Sequence, residues 1–331
     1  MLVNGKNFDS TTYTQEVSER LKTIGENETL LFNEIASNGI KETDEKTIEV
    51  SVNDLSQLSG DYNDVYEGNA DLSNKQTVLP DTFENPFQEF VIPYGYTFKS
   101  ATGRQVVNPD KQKDQAILRA VKSIEHFTFN GRKDQSKPKS DKFQGILAHS
   151  QSGGNIITLG ETNVDGDGKV TVINGKLTDV SIYEALQKID EDGGLGNDMV
   201  MLCSNNVAKV LTFVLKHGRD VLDPATHQAK FKLFETDLCD IRRIRGGKLL
   251  AGYNGIIILP KEEIFYQMQK TKLEVEGVVL GEGYFLDVLK GIDNTEINKF
   301  IYTKMSLDLP LASRMAVINN IDTNLNNYSN I

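Results

Sequence analysis

The sequence predicts an α+β fold organised around one long amphipathic helix, and three observations carry the prediction. Residues 109–130 show helical punctuation and a helical period, residues 46–51 and 90–98 alternate as strands do, and from Asp179 onward helix and strand patterns follow one another regularly. The context is equally telling. Residues 1–107 are acidic and poor in apolar side chains, so the chain reads as a subunit completed by its neighbours.

Asn108 is a good helix cap, Pro109 fits the first helical position, and Gly131 stands where a left-handed stop is expected. Between them Ile117, Ala120, Val121, Ile124, Phe127 and Thr128 recur at three- and four-residue steps, and Lys111, Lys113, Asp114, Arg119, Lys122 and Glu125 fill the other face. At about 1.5 Å per residue the element is a rod of roughly 33 Å, long enough to act as a spine. Each larger apolar side chain it buries contributes about 1.5–3 kcal/mol.

The chain has 331 residues, 38% of them hydrophobic and 25% charged, which suffices for one large or two medium domains with a real core. No apolar run approaches the roughly 18 residues of a membrane span, and MLVNGKNFDSTTY lacks the pattern of a signal peptide, so synthesis in the cytoplasm and no membrane partner are expected. The two cysteines, Cys203 and Cys239, match neither a disulfide framework nor metal-ligand spacing. The net charge of −11 is uneven: residues 1–107 carry −10, residues 108–145 carry +4 and the remainder −5. An acidic arm ahead of a basic spine and loop favours contacts between copies, the plain alternative being a solvated acidic face. Tight nucleic-acid binding is disfavoured, because phosphate neutralisation drives it.

Along the chain, Gln15–Ile24 and Thr29–Ser37 form short helical patterns, the second with Leu30, Leu31, Ile35 and Ala36 as its apolar set. TIEVS, within residues 46–51, and the aromatic-rich FVIPYGYTF, Phe90–Phe98, are read as the two arms of a long hairpin, with Pro93 marking an edge or a bulge. The polar stretch between them cannot make a core of its own. A two-stranded hairpin is marginal in water, so the projection needs other subunits against it. An extended arm of about 25 residues reaches roughly 80 Å.

After the spine come the lysine-rich GRKDQSKPKSDK and a strand-like FQGILAHS, then a hairpin in NIITLGETNVDGDGKVTVING. From Asp179 a helix is expected, with Ser181 and Glu184 in capping-box spacing and Tyr183, Leu186 and Ile189 inside. The strand MVMLCS follows, then a helix over Asn205–His217 capped by Ser204. Further strands are read at Lys230–Glu235, Leu238–Ile244 and Gly255–Leu259, and long β signals in KLEVEGVVL, INKFIYTKMSLDL and RMAVINNI precede a polar, loosely ordered tail.

This order of elements resembles tailed-phage major capsid proteins, the HK97-like fold named for bacteriophage Hong Kong 97. The residues that carry the resemblance are ETLLFNEI in the arm, TIEVSVNDL and VYEGNAD in the loop, IEHFTFNGR closing the spine, FQGIL, then IYEALQKID with MVMLCSNNVAKVL, and finally NKFIYTKMSLDLPLASRMAVINNI. It implies an N-terminal arm over 1–38, an extended loop over 39–105, and a peripheral domain in two parts, 106–177 and 262–300. An axial domain would span 178–261, and 301–331 would hold its return strand and the tail. It also implies copies of the chain in hexamers and pentamers, a virion location, enclosed DNA bound without sequence specificity, and scaffold, portal and decoration proteins as partners. An encapsulin-like nanocompartment shell and a soluble α/β enzyme are the alternatives. Some members of the family join a loop lysine to a neighbour's asparagine. Lys41, Lys46, Lys75, Asn319 and Asn320 are available, but no motif fixes a match.

No catalytic, cofactor-binding or metal site is assigned, and the sharper candidates each have a plainer reading. Asn163, Asp165, Asp167 and Gly168 copy the first half of a calcium loop, yet position twelve is Asn174 and a simple turn is preferred. Cys203 with His126, His149, His217 or His227 has no nucleophile signature. Arg242, Arg243 and Arg245 before Gly246, Gly247 and Lys248 lack phosphate-loop spacing, and Asp190 and Glu191 are helix-end charges.

Overall fold

The structure, a computed structural model, describes residues 29–43, 47–52, 81–97, 109–133, 142–164, 170–191, 198–214, 220–222, 229–232, 240–245, 249–275, 278–292 and 296–328. The expected helix over Gln15–Ile24 and the tip of the extended loop lie outside them.

The helices are α1 (Leu30–Ala36), α2 (Pro109–Asn130), α3 (Ile146–Ser152), α4 (Asp179–Glu191) and α5 (Asn205–Val214). Of the strands, β1 (Ile40–Thr43), β2 (Thr47–Val52), β3 (Asp81–Pro86) and β4 (Gln88–Thr97) precede the spine. β5 (Ile156–Thr158), β6 (Glu161–Val164) and β7 (Val170–Ile173) lead to α4, and β8 (Asp198–Cys203) joins it to α5. Then come β9 (Asp220–Leu222), β10 (Ala229–Lys232), β11 (Asp240–Arg245) and β12 (Ile256–Pro260). The last six are β13 (Phe265–Gln269), β14 (Thr271–Val275), β15 (Val278–Gly283), β16 (Phe285–Ile292), β17 (Glu296–Asp308) and β18 (Ala316–Asn319).

Two sheets form the body. In the five-stranded sheet β17 pairs antiparallel with β13, β16 and β4, and β1 adds in parallel outside β13. The seven-stranded sheet has the order β5-β18-β12-β8-β11-β10-β9. The chain crosses between the sheets through residues 309–315, because β17 runs unbroken to Asp308 and β18 starts at Ala316.

Alternation along the seven-stranded sheet builds two cores from one set of strands. Val200, Leu202, Ile257, Leu259 and Val317 belong to the cluster that includes Ile117, Val121 and Ile124 of the spine and Ile301 and Met305 of β17. Their neighbours Met199, Met201, Ile256, Ile258 and Ile318 pack with Ile182 and Ile189 of α4 and Val207 and Leu211 of α5. Strands covered on both faces read as continuous apolar runs, which MVMLC and IIIL are.

The spine has the expected bounds, Pro109–Asn130. Gly131 serves a different purpose from a left-handed stop. It is absent from the positive-φ glycines, and a Cβ there would collide with the carbonyl oxygens of Phe127 and Phe143. Glycine is needed so that the returning chain can bond directly, Gly145 N–H donating to the Gly131 carbonyl at 2.9 Å.

Three further expectations are corrected. ILAHS lies in α3, not a strand, a short apolar run whose period does not discriminate. The cap of α4 is Thr178, whose Oγ1 accepts from Ser181 N at 3.2 Å, and Tyr183 is 50% exposed while Ile182 and Ala185 face inward. The tail is tied down: Tyr328 is fully buried, its hydroxyl accepting from Leu177 N and donating to the Asp322 carbonyl, each at 2.9 Å. Replacing Tyr328→Phe should cost about 1–2 kcal/mol by orphaning a buried N–H, and Tyr328→Ala about 3–5 kcal/mol, in denaturant melts of the full chain. Equal, negligible losses would show that the tail is not part of the folded body.

Candidate assembly surface

The described part of the extended loop is a ribbon of its own. β2 and β3 pair antiparallel from Thr47 opposite Pro86 to Val52 opposite Asp81, and form a separate two-stranded sheet. The return arm is therefore Asp81–Pro86, and of the segment expected in that role, Phe90–Phe98, the described residues Phe90–Thr97 belong to β4 of the five-stranded sheet instead. The physical reason is burial. Phe90 is 4% exposed and joins the spine's core, a better place for aromatic side chains than a projecting arm.

Asn85 fastens the ribbon's root. Its side chain is fully buried, with Nδ2 donating to the carbonyls of Leu307 (2.6 Å) and Gln144 (3.1 Å) and Oδ1 accepting from Gln144 N (2.7 Å). Ser306 Oγ donates to the Asn85 carbonyl at 3.2 Å. One residue thus ties the ribbon to the end of β17 and to the segment ahead of α3.

A second fastening holds α1 on the spine. No side chain at Thr29 caps this helix, and Glu125 does so from the spine, Oε1 accepting from Leu31 N at 2.8 Å and Phe32 N at 3.2 Å. Phe32 stacks on Tyr266 at 4.9 Å between ring centroids, and the Tyr266 hydroxyl is bonded to Thr128 Oγ1 of the spine at 3.0 Å. Burial pushes the Glu125 carboxyl above its ordinary range, opposed by the two backbone N–H groups and the Lys122 charge. Asn38 Nδ2 adds bonds to the carbonyls of Lys261 and Ile264, and Lys261 pairs with Glu34 at 3.4 Å.

Glu125, expected on the wet face of the spine, is only 6% exposed. The signal was there. Residue 125 is four beyond Val121 and three before Thr128, inside the apolar stripe, so an acid at that position had to find a partner.

Part of the spine's basic face is used within the subunit. Lys113 Nζ lies 2.9 Å from Asp287, which also accepts from the Tyr94 hydroxyl at 2.6 Å, and Arg119 donates to the Pro93 carbonyl. Lys111 and Lys122 are exposed. At the foot of the loop, Lys41 sits over the Phe265 ring and 3.6 Å from Asp308, whose carboxyl is raised mainly by burial. Apolar side chains exposed by about half, Val172, Ile173, Val180 and Tyr183, stand on β7 and the start of α4.

The other candidate residues do not converge. Cys203 is buried in the core under α4 and α5, while the His149 ring bonds the Pro310 carbonyl at 2.7 Å and His126 is exposed. Glu191 accepts from Gln187, one turn back on the exposed end of α4, and Asp190 is exposed beside it. Asn163 lies in β6, paired with β7, and Asn174 follows β7, so the half calcium loop is flanked by strands. Arg242, Arg243 and Arg245 lie on β11, between β8 and β10. Asn319 accepts from the Tyr253 hydroxyl at 3.5 Å, and Asn320 has a positive φ of 59° at the end of β18. Lys46, Lys75, Asp165, Asp167, Gly168, His217, His227, Cys239, Gly246, Gly247 and Lys248 lie outside the described residues. Among the described residues no group of three or more His, Cys, Asp or Glu is placed to hold a metal ion, and no helix is long and apolar enough to cross a membrane.

No family model matches the sequence, and no curated protein matches it. Solved structures do match in shape. A chain of the holo-SrpI encapsulin complex of Synechococcus elongatus is similar at a TM-score of 0.51 and 11% identity, over 88% of this chain and 88% of that one. A chain of the satellite phage P4 procapsid gives 0.51 at 11% identity, covering 97% and 93%. A chain of the cyanophage A-1(L) capsid asymmetric unit gives 0.51 at 13% identity, covering 89% and 93%. Nearly the whole length of each takes part, hairpin ribbon, spine helix and both sheets belong to one architecture, and the chain has the HK97-like capsid fold.

Proposed function

We propose that this chain is a major capsid protein that self-assembles into the icosahedral head shell enclosing the genome of a tailed bacteriophage. The observation that carries the reading is the β2–β3 ribbon: a separate two-stranded sheet rooted by buried hydrogen bonds, an arrangement marginal in isolation that a neighbour would stabilise. Hexamers and pentamers of the same chain supply those neighbours. The five-stranded sheet with the spine is the peripheral domain and the seven-stranded sheet with α4 and α5 the axial domain, which moves β5 to the axial side and residues 301–308 of β17 to the peripheral side of the bounds expected from the sequence, and residues 1–38 are the N-terminal arm. The function is structural. An acidic subunit, −11 overall, suits a container that holds DNA without gripping its sequence. Assembly takes place in the host cytoplasm, with scaffold, portal and decoration proteins as further partners, and the finished subunit resides in the virion.

The similarity to the encapsulin subunit supports a second reading, a nanocompartment shell around a protein cargo. Sedimentation velocity of the purified recombinant chain tests the shared part: shells, or free pentamers and hexamers, are expected. A compact monomer at every salt and protein concentration, alone and with a co-expressed scaffold, would overturn both. Nucleic acid packaged in particles from phage-infected cells selects the first reading, and a co-purifying enzyme the second.

A further inference from the structure

We infer that Asn85 is the positioning residue of the extended hairpin, setting the direction in which the ribbon leaves the subunit and so the neighbour contacts it makes. The inference rests on the shell-subunit reading for its consequence in assembly, and on geometry alone for its consequence in the free subunit. A carboxamide is the side chain with two donors and an acceptor on one planar group, and Asn85 uses all three functions, donating to the Leu307 and Gln144 carbonyls and accepting from Gln144 N. Its own carbonyl is held by Ser306. These bonds join three segments distant in sequence at the last ribbon pairs before the body, where Pro86 opposes Thr47 and Asn85 opposes Ile48.

Leverage makes the position matter. Six paired residues make a ribbon of about 20 Å, so a tilt of about 10° at the root displaces its far end by about 3.5 Å, enough to miss a packed contact. Among the described residues the ribbon pairs with no other strand, so its bearing is set at this joint with the end of β17.

The test labels Ser51→Cys on β2 and Lys122→Cys on the exposed side of the spine with nitroxides, in the full chain with Cys239→Ser, at concentrations that keep it unassembled. Cys203 is buried and stays unlabelled. Pulsed dipolar spectroscopy should give a single narrow distance distribution that Asn85→Ala broadens and shifts. Asn85→Asp should be broad at pH 7.5, where a carboxylate faces two carbonyls, and should narrow on acidification as a protonated carboxyl regains one donor. Ile189→Val, which loosens the α4 core, should leave the distribution unchanged. In assembly, Asn85→Ala should need about tenfold more protein to form shells, and Ile189→Val close to the wild-type amount. A distribution unchanged by Asn85→Ala, or equally broadened by Ile189→Val, would overturn the inference. So would shells forming from Asn85→Ala at the wild-type concentration. If the wild-type chain forms no shells, the shell reading fails, while the distances still decide whether Asn85 directs the ribbon.

Discussion

Removing residues 53–80 and closing the ribbon with Asn-Gly should leave a folded, soluble body that no longer assembles. The register makes the deletion clean. Val52 and Asp81 are already opposite one another, so a two-residue turn joins β2 to β3 with the Asn85 fastening intact. The body loses none of its described core, and its thermal midpoint should stay within about 2–4 °C of wild type, the shift that about 1 kcal/mol gives in a large domain. If the loop acts between subunits, shells, pentamers and hexamers should vanish together in sedimentation and electron microscopy. An unfolded product would mean that the loop belongs to the subunit's own core, and normal shells that it is dispensable for assembly.

Glu125→Ala should be the most disruptive single change on the spine. It leaves the N–H groups of Leu31 and Phe32 without their acceptor in a buried setting, at about 1–3 kcal/mol each, and opens a cavity beside the Phe32–Tyr266 stack. Hydrogen exchange should show α1 opening while β12 and β17 stay protected. Glu125→Gln keeps the acceptor and should cost under about 1 kcal/mol.

The two substitutions also separate a pH effect. The Glu125 carboxyl is raised from 4.5 in the fold, so the folded state holds its proton more tightly than the unfolded chain. Its contribution is therefore fully present below pH 4.5 and is lost as pH rises through the folded value. Asp308, raised from 3.8, acts in the same direction. Glu89, lowered chiefly by its hydrogen bond to Lys304, acts oppositely, its contribution being lost as pH falls through a value below 4.5. Denaturant melts across pH 4–7 should thus show a decline in stability on the neutral side of 4.5 that Glu125→Gln flattens. An unchanged slope in Glu125→Gln would assign the decline elsewhere.

Local signals were legible in the sequence, and long-range ones were not. Asn108, Pro109 and the three-and-four spacing fixed the spine to the residue, and Ser204 marked the start of α5, accepting from Val207 N at 3.3 Å. β3 was missed because DTFENP has little strand propensity. Its conformation comes from pairing with β2 and from the Asn85 bonds, partners up to 222 residues away. Composition also misled at the polar tail, where a single tyrosine, Tyr328, decides the order of the segment. At the candidate assembly surface the outgoing arm of the hairpin, β2, and the charge asymmetry were visible in advance, and the return arm was not. The fastenings at Asn85 and Glu125 were not, since each is a polar side chain whose role is set by backbone groups far along the chain.

Electron cryomicroscopy of the fast-sedimenting fraction of the wild-type chain would show where each subunit's ribbon lies. Closed icosahedral shells are expected, in which the β2–β3 ribbon of each subunit leaves its Asn85 root and lies across a neighbour. Open sheets or filaments, or a ribbon folded back on its own subunit, would contradict this reading of the subunit.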